Sequence, residues 1–421
     1  MTPAAPALAQ AASSRENIRI SPLDDPSRRW PQHDEDEVAA VTAVLRSGRV
    51  NALVHGDETR SFEEEFARFC DMRHGVAVAN GTLALELALR ALRVGCGDEV
   101  IVPARSFFAT AASVVAVGAI PVFADIASDG LTIDPASVER MIGERTRAIL
   151  CVHLGGRPCD MAELTAIARR HGMWLIEDCA QAHGGRFNGQ PLGSFGHAAA
   201  FSFCTDKIMS TGGEGGMLLL RHDPHWARAW AYKDHGKNPD KVLRPASGTG
   251  FRYVHDSFGT NWRMTEMQAA IGRAQLVKLP RWLEQRRRNA ATLAALLAPD
   301  ARIELFSEPP EIESAYYRFY CALNTSWLSD RSTTTNVVIA RMIARGIPAG
   351  SGSCPDMSQE AAFGSSPPHR DGSLSTAREA GKRTIALPVD HLLNEDDMRR
   401  MADALRNTLD ELSISSLEAL A

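Results

Sequence analysis

Apolar residues recur along the first half of the chain in two alternating rhythms, and the alternation predicts the architecture. Val38, Val41 and Leu45 stand at helical spacing between Glu35 and Ser47, and Gly48 supplies a stop. Phe62, Phe66 and Phe69 mark a second helix over Ser61 to Asp71, with Ser61 as N-cap and Glu64 completing a capping box. The period then shortens. Gly75-Val-Ala-Val-Ala reads as a strand that turns at Asn80-Gly81 into the helix-forming run from Leu83 to Leu92. Strands follow at Glu99 to Pro103, Pro121 to Asp125, Ala148 to Leu154 and Trp174 to Ile176. Helices stand between them, one begun by Asp134-Pro135 as N-cap and first-turn proline, another over Met161 to His171. Strands alternating with helices imply parallel βαβ units and a doubly wound sheet.

The second half has a different texture. A helix over Thr265 to Leu279 is expected to close at Pro280, and another to run from Trp282 to Leu297. Beyond Pro299 come a strand-like Tyr317 to Leu323, a helix near Val337 to Arg345, a Gly/Ser/Pro-rich loop over Gly350 to Arg370 and a last helix over Asn394 to Leu412. This pattern predicts a smaller α+β domain at 281–421, after a large domain at 26–280 and a flexible tail at 1–25.

Composition narrows the class. With 44% hydrophobic and 23% charged residues the 421-residue chain is an ordinary globular protein, and no apolar run approaches the roughly 20 residues that span a bilayer. The net charge of −5 offers nucleic acid little, and the densest cationic cluster, Arg286-Arg-Arg288, reads as a solvated helix face. Eight cysteines without a Cys-x-x-Cys pair read as reduced thiols rather than a disulfide framework or a zinc site. The Ala/Pro-rich start lacks the pattern of a signal peptide, so the expected location is cytoplasmic.

The chemistry concentrates at Phe201-Ser-Phe-Cys-Thr-Asp-Lys207, followed by four glycines among Gly212 to Gly216. A lysine delivered by a strand end into a Gly-rich stretch fits a Schiff base to a carbonyl cofactor, pyridoxal phosphate above all. Taken alone it fits equally a solvent-facing lysine before a turn. In doubly wound sheets ligands bind at the carboxyl ends of strands, where Thr82, Phe107, Asp178, Gln181 and Ser202 all fall. Pyridoxal phosphate needs a lysine, a carboxylate at its ring nitrogen, a donor to its ring hydroxyl, an aromatic on its face and a phosphate cradle. Lys207, Asp178, Gln181, Phe107 and the pair Thr82/Ser202 supply a candidate for each, and the helix start after Asn80 is a ready anion site. Singly, Asp178 could be an N-cap, Phe107 core packing and Ser202 a strand hydroxyl. The joint occurrence is what points to a cofactor.

Asn80-Gly-Thr82, Gly97 to Pro103, Glu177-Asp-Cys-Ala-Gln-Ala-His-Gly184, Phe201-Ser-Phe203, Asp206-Lys207, Gly212 to Gly216 and Gly259-Thr-Asn-Trp-Arg-Met264 resemble, in order, the DegT/DnrJ/StrS family of pyridoxal-phosphate sugar aminotransferases. The likeness runs from about Val41 to Ala290 and weakens past about residue 300. It implies a fold-type I α/β protein with a smaller C-terminal domain. It also implies that Lys207 is the Schiff-base lysine, that Asp178 faces the pyridine nitrogen and that Gln181 contacts the ring hydroxyl. Phe107 matches the stacking aromatic, and Gly81, Thr82 and Ser202 the phosphate binders. Asn261 matches a residue lent to the neighbouring subunit of a homodimer. Ser106 where Thr is common, and Cys204-Thr205 in place of an aromatic-Pro pair, depart from the pattern.

The implied reaction passes the amine of glutamate (glutamine in some relatives) to a keto sugar, a nucleotide-linked 4-keto-6-deoxyhexose. Pyridoxamine phosphate is the intermediate form, and polysaccharide or natural-product biosynthesis the setting. Alternatives are a keto-cyclitol acceptor of the inosose type, a sugar dehydratase, and a non-catalytic regulatory homologue. Dehydratase relatives carry His where this chain has Lys207.

Overall fold

Seven strands form one sheet in the order His74–Val78, Gly216–Leu220, Ala198–Ser202, Trp174–Asp178, Thr146–Val152, Glu99–Pro103, Ile120–Ala124. The five strands from Ala198–Ser202 to Ile120–Ala124 run parallel, and Gly216–Leu220 pairs antiparallel with both of its neighbours. This is the expected α/β sheet, mostly parallel and covered on both faces. The computed structural model describes Leu23 and residues 29–418, apart from 54–55, 129, 245–250, 330–333, 365–368 and 370. The expected tail at 1–25 lies outside the described residues except for Leu23, which is buried in the C-terminal core.

Alternation along each strand divides the apolar residues between two layers. One layer joins Ala77, Ile101, Ile149 and Phe201 to the helices Asp57–Phe69, Met161–His171 and the start of Glu266–Leu297. The other joins Val76, Val100, Leu150 and Ala200 to the helices Gly81–Ala91, Ala109–Ala116 and Asp223–Lys233. With both faces buried, the ligand-accessible edge is the carboxyl end of the parallel strands, where Val152 pairs with Asp178 and Asp178 with Ala200.

A third core holds a three-stranded antiparallel sheet (Ile303–Leu305, Phe319–Leu323, Thr384–Leu387) against the helices Thr335–Ala344 and Glu395–Glu418. The end of Glu266–Leu297 packs there too, through Ala290, Leu293 and Leu297. That helix corrects one expectation. It runs 32 residues straight through Pro280, where closure was expected. An interior proline costs about 3 kcal/mol, and the helix outweighs this by burying Leu279 and Leu283 on one side of the large core and Leu293 and Leu297 in the small one. The expected border at 280/281 therefore falls inside a continuous helix.

Two further expectations change. The second helix begins at Asp57, not Ser61, because its first amides are capped from afar: Glu58 and Thr59 donate to the Glu266 carboxylate at 2.8 and 3.1 Å. Arg286 is not on a solvated face. It is only 2% exposed and donates to the Tyr316 carbonyl at 3.1 Å, while Arg287 donates to the carbonyls of Ser314 and Gly184. Arg286 and Arg287 fasten the segment 314–316 to the helix Glu266–Leu297, and Arg287 also reaches Gly184.

Candidate active site

The strand Ala198–Ser202 does not itself carry Lys207. The ladder continues past its end, with Phe203 N–H donating to Gly215 (2.8 Å) and Thr205 N–H to Gly213 (3.0 Å), and the lysine sits on the turn that follows. Its carbonyl is held by the indole N–H of Trp30 at 2.7 Å. Trp30 is in turn packed edge-on against Trp282 and His391. Lys207 Nζ stands 3.4 Å from an Asp206 oxygen and 4.9 Å from the Tyr317 ring centre. The Tyr317 hydroxyl donates to the same Asp206 carboxylate. Burial pushes that carboxyl up, but Lys207 and Tyr317 hold it below the usual range.

Around this lysine lies a cavity of about 720 Å³. Gly81, Thr82, Phe107, Asp178, Gln181, Ser202 and Lys207 all line it, as do Gly350 and Gly352 to Cys354 of the Gly/Ser/Pro-rich loop. Asn261 does not. It is exposed and bridged to Asp234.

Asp178 closes the floor, its carboxylate accepting from the Thr110 hydroxyl and the Ala180 amide, each at 3.1 Å. Burial lifts it above the ordinary carboxylate range, although Ala180, Thr110 and Lys207 each pull it down. A buried anion in this state favours a cationic partner. Gln181 has a fixed amide. Its Oε1 accepts from Gly155 N–H at 2.7 Å, which leaves its NH2 group free to donate. Phe107 offers its ring openly, 67% exposed, at the cavity wall.

Opposite Lys207, Asn80 caps the helix Gly81–Ala91 by accepting from Leu83 N–H at 3.0 Å. The first-turn amides of Gly81 and Thr82 have no intrahelical acceptor and carry the positive end of the helix dipole. Ser202 approaches so closely that a Cβ on Gly81 would stand 2.6 Å from the Ser202 Cβ. The cradle exists only because residue 81 has no side chain. Glycines 215 and 216 meet the chain itself: side chains there would collide with the Thr211 hydroxyl and the Asn80 carbonyl. Their smallness thus serves the packing of this loop against the cradle.

Charge-bearing neighbours beneath the site are structural. Glu177 accepts from the amides of Gly193, Phe195 and Gly196 and from His153, which commits both of its oxygens. His183 lies among Phe66, Phe201 and Phe203, where burial and then Lys207 hold its pKa down to about 3. It is a neutral core residue.

The sequence pattern of the DegT/DnrJ/EryC1/StrS aminotransferase family matches residues 31–406. The chain belongs to this family. It is 35% identical over 395 residues to the dTDP-3-amino-3,4,6-trideoxy-alpha-D-glucose transaminase of Streptomyces venezuelae, covering 94% of this chain and 97% of that protein. It is 34% identical over 406 residues to the L-glutamine:2-deoxy-scyllo-inosose aminotransferase of Streptomyces kanamyceticus, covering 91% and 94%. The X-ray structure of the aminotransferase from Psychrobacter cryohalolentis superposes with a TM-score of 0.88 at 39% identity, over 91% of this chain and 99% of that one.

For an aminotransferase, several site residues escaped the sequence reading. Thr110, Trp30, and Tyr317 with Arg318 all reach the site from elements whose pattern says nothing of it. Gly155-Gly156 was the available signal. A Cβ on Gly156 would lie 2.8 and 3.0 Å from the Tyr316 and Tyr317 amides and 2.9 Å from the Gln181 carbonyl. The glycine pair marks where the segment 315–318 docks into the site.

Proposed function

We propose that this protein is a pyridoxal-phosphate-dependent aminotransferase that converts a keto sugar to an amino sugar. The observation that carries the reading is the convergence of a lysine, a buried carboxylate, an oriented amide, an open aromatic ring and a cradle of unpaired amides on one cavity. Bound there, pyridoxal phosphate would supply the electron sink that makes an amine's α-hydrogen acidic.

The residues fit that group position by position. Gly81, Thr82 and Ser202 would hold its phosphate, Phe107 its ring face and Gln181 NH2 its ring hydroxyl. Asp178, fixed by Thr110, would hold the ring nitrogen in its protonated form. Lys207 Nζ is the covalent anchor. When released it takes a proton from the donor's α-carbon and returns it to the acceptor carbon. The turn beyond Ser202, pinned by Trp30, leaves Nζ at the cavity wall, 15% exposed.

Glutamate or glutamine is the proposed amino donor. A nucleotide-linked keto sugar is the proposed acceptor, supported by the Streptomyces venezuelae relative, and a keto-cyclitol is the second reading, supported by that of Streptomyces kanamyceticus. Lys207, where dehydratase relatives have His, disfavours dehydration. We further propose a homodimer in which Asn261 completes the neighbour's site. Its exposure outside this cavity, beside the 99% exposed Phe258, supports that reading. No helix among the described residues is long and apolar enough to cross a membrane.

The test is to load the enzyme with pyridoxamine phosphate and incubate it with nucleotide-linked keto sugars and keto-cyclitols. The acceptor is the compound that restores the visible absorbance of pyridoxal phosphate. Failure of every keto compound, with exchange on L-glutamate and L-glutamine also absent, would remove the aminotransferase reading.

A further inference from the structure

The geometry points to Arg318 as the residue that grips the carboxylate of the amino donor. This deepens the function proposed above and rests on it. Arg318 lines the catalytic cavity and also a second cavity behind it, and Asp206, Tyr317 and Pro348 are shared between the two walls. Its guanidinium carbon stands 5.3 Å from the Tyr317 ring centre, on the ring that Lys207 Nζ approaches to 4.9 Å. Among the described residues no carboxylate lies within ion-pair distance of the Arg318 guanidinium. An arginine half-buried in a reactive cavity without an anion is a binding group awaiting one.

The second cavity has its own cation and counter-charge. Arg286, almost wholly buried, lines it and spends one N–H on the Tyr316 carbonyl, while its Nε has no partner. Asp390, which accepts from Leu392 N–H at 3.2 Å, lines the same cavity and supports the charge of Arg286. Asp206 takes the Tyr317 hydroxyl and Lys207. Arg318 is thus the guanidinium that lines both cavities with no carboxylate committed to it.

The segment that presents Arg318 is held rigidly. Tyr316 adopts a left-handed backbone (φ 51°), and Ala315 N–H donates to Gly156 and Arg318 N–H to Gly155. Such a conformation in a non-glycine residue persists where its surroundings enforce it.

Scale agrees with a donor carboxylate. Both cations lie within about 5 Å of one ring centre, so Nζ and the guanidinium carbon are separated by about 10 Å at most. A donor amine takes the place of Nζ. Glutamate spans about 5 Å from that amine to its side-chain carboxylate, and a forked guanidinium–carboxylate pair adds about 4 Å. The diphosphate of a nucleotide sugar is the other oxyanion that could claim Arg318, and separate probes distinguish the two.

The experiment titrates holoenzyme with glutarate, a five-carbon dicarboxylate without an amine, and separately with thymidine diphosphate, by calorimetry. The expected result is that Arg318→Gln weakens glutarate at least tenfold, Arg318→Lys less, and neither changes thymidine diphosphate or the melting temperature. Single-turnover conversion by L-glutamate should show the same loss as a raised KM. Loss of thymidine diphosphate binding with glutarate intact overturns the donor assignment, as does unchanged glutarate binding in Arg318→Gln. If wild-type enzyme exchanges with L-glutamate while the variant matches it, only the subsite falls. If the wild type exchanges with neither L-glutamate nor L-glutamine and no keto compound restores the cofactor absorbance, the proposed function falls first.

Discussion

Replacing Gly81 by alanine asks whether the gap between the helix start and Ser202 is the phosphate cradle. The backbone there is not in the left-handed region, so the new methyl group is the only obstacle. It would stand 2.6 Å from Ser202 Cβ and 3.0 Å from Ser202 Oγ. Carbon atoms in contact prefer about 3.5–4.0 Å, so helix and strand end must part by roughly 1 Å. Overpacking of this kind costs about 1–3 kcal/mol, offset in part by the better helix propensity of alanine, about 1 kcal/mol at most.

The larger effect falls on binding. A phosphate held from both sides loses its fit to one of them, and one charge-assisted hydrogen bond is worth about 1.5–3 kcal/mol, or roughly ten- to hundredfold in affinity. The assay is titration of cofactor-free protein with pyridoxal phosphate by fluorescence quenching, with thermal melting alongside. Gly81→Ala should bind the cofactor at least tenfold more weakly while remaining folded. Binding within twofold of the wild type would refute the cradle.

Lys207→Ala should abolish turnover and the visible absorbance of lysine-bound cofactor; retained transamination in that variant would sink the assignment. Thr110→Val removes the hydroxyl that favours ionised Asp178. Because the folded-state carboxyl is already raised by burial, its ionised form costs stability at neutral pH, and that cost fades as pH falls through the raised value. Cofactor-free Thr110→Val should thus be less stable than wild type by about 1–3 kcal/mol at pH 7, the gap narrowing as pH falls and the Asp178 carboxyl takes up its proton. A pH-independent gap in denaturant midpoints would contradict the role given to Asp178. Glu266→Ala leaves the amides of Glu58 and Thr59 and the Thr59 hydroxyl without their acceptor. It should lose about 2–4 kcal/mol, seen as a melting point several degrees lower, and an unchanged melting point would deny the capping role.

What the amino-acid order determines here is local and periodic. Alternating strand and helix rhythms dictate the doubly wound sheet, because each element must bury one face and each parallel pair needs a crossover. The same periodicity sets Thr82, Phe107, Asp178, Gln181 and Ser202 at strand ends, and the structure places all five on one cavity with Lys207. Caps written within a few residues, such as Asp134 before Pro135, were legible for the same reason: donor and acceptor are neighbours in sequence.

Interactions between distant residues were not legible. Glu266 caps a helix more than 200 residues away and moves its start from Ser61 to Asp57. Burial on both sides carries a helix through Pro280, and the docking of the segment near Tyr316 turns Arg286 from an apparent surface residue into a buried cation. Trp30, Tyr317 and Arg318 join Lys207 in the same way. Lys207 and the elements flanking it were marked by the chain, but the partners that hold the lysine and line its cavity were chosen by the packing of segments far apart in sequence.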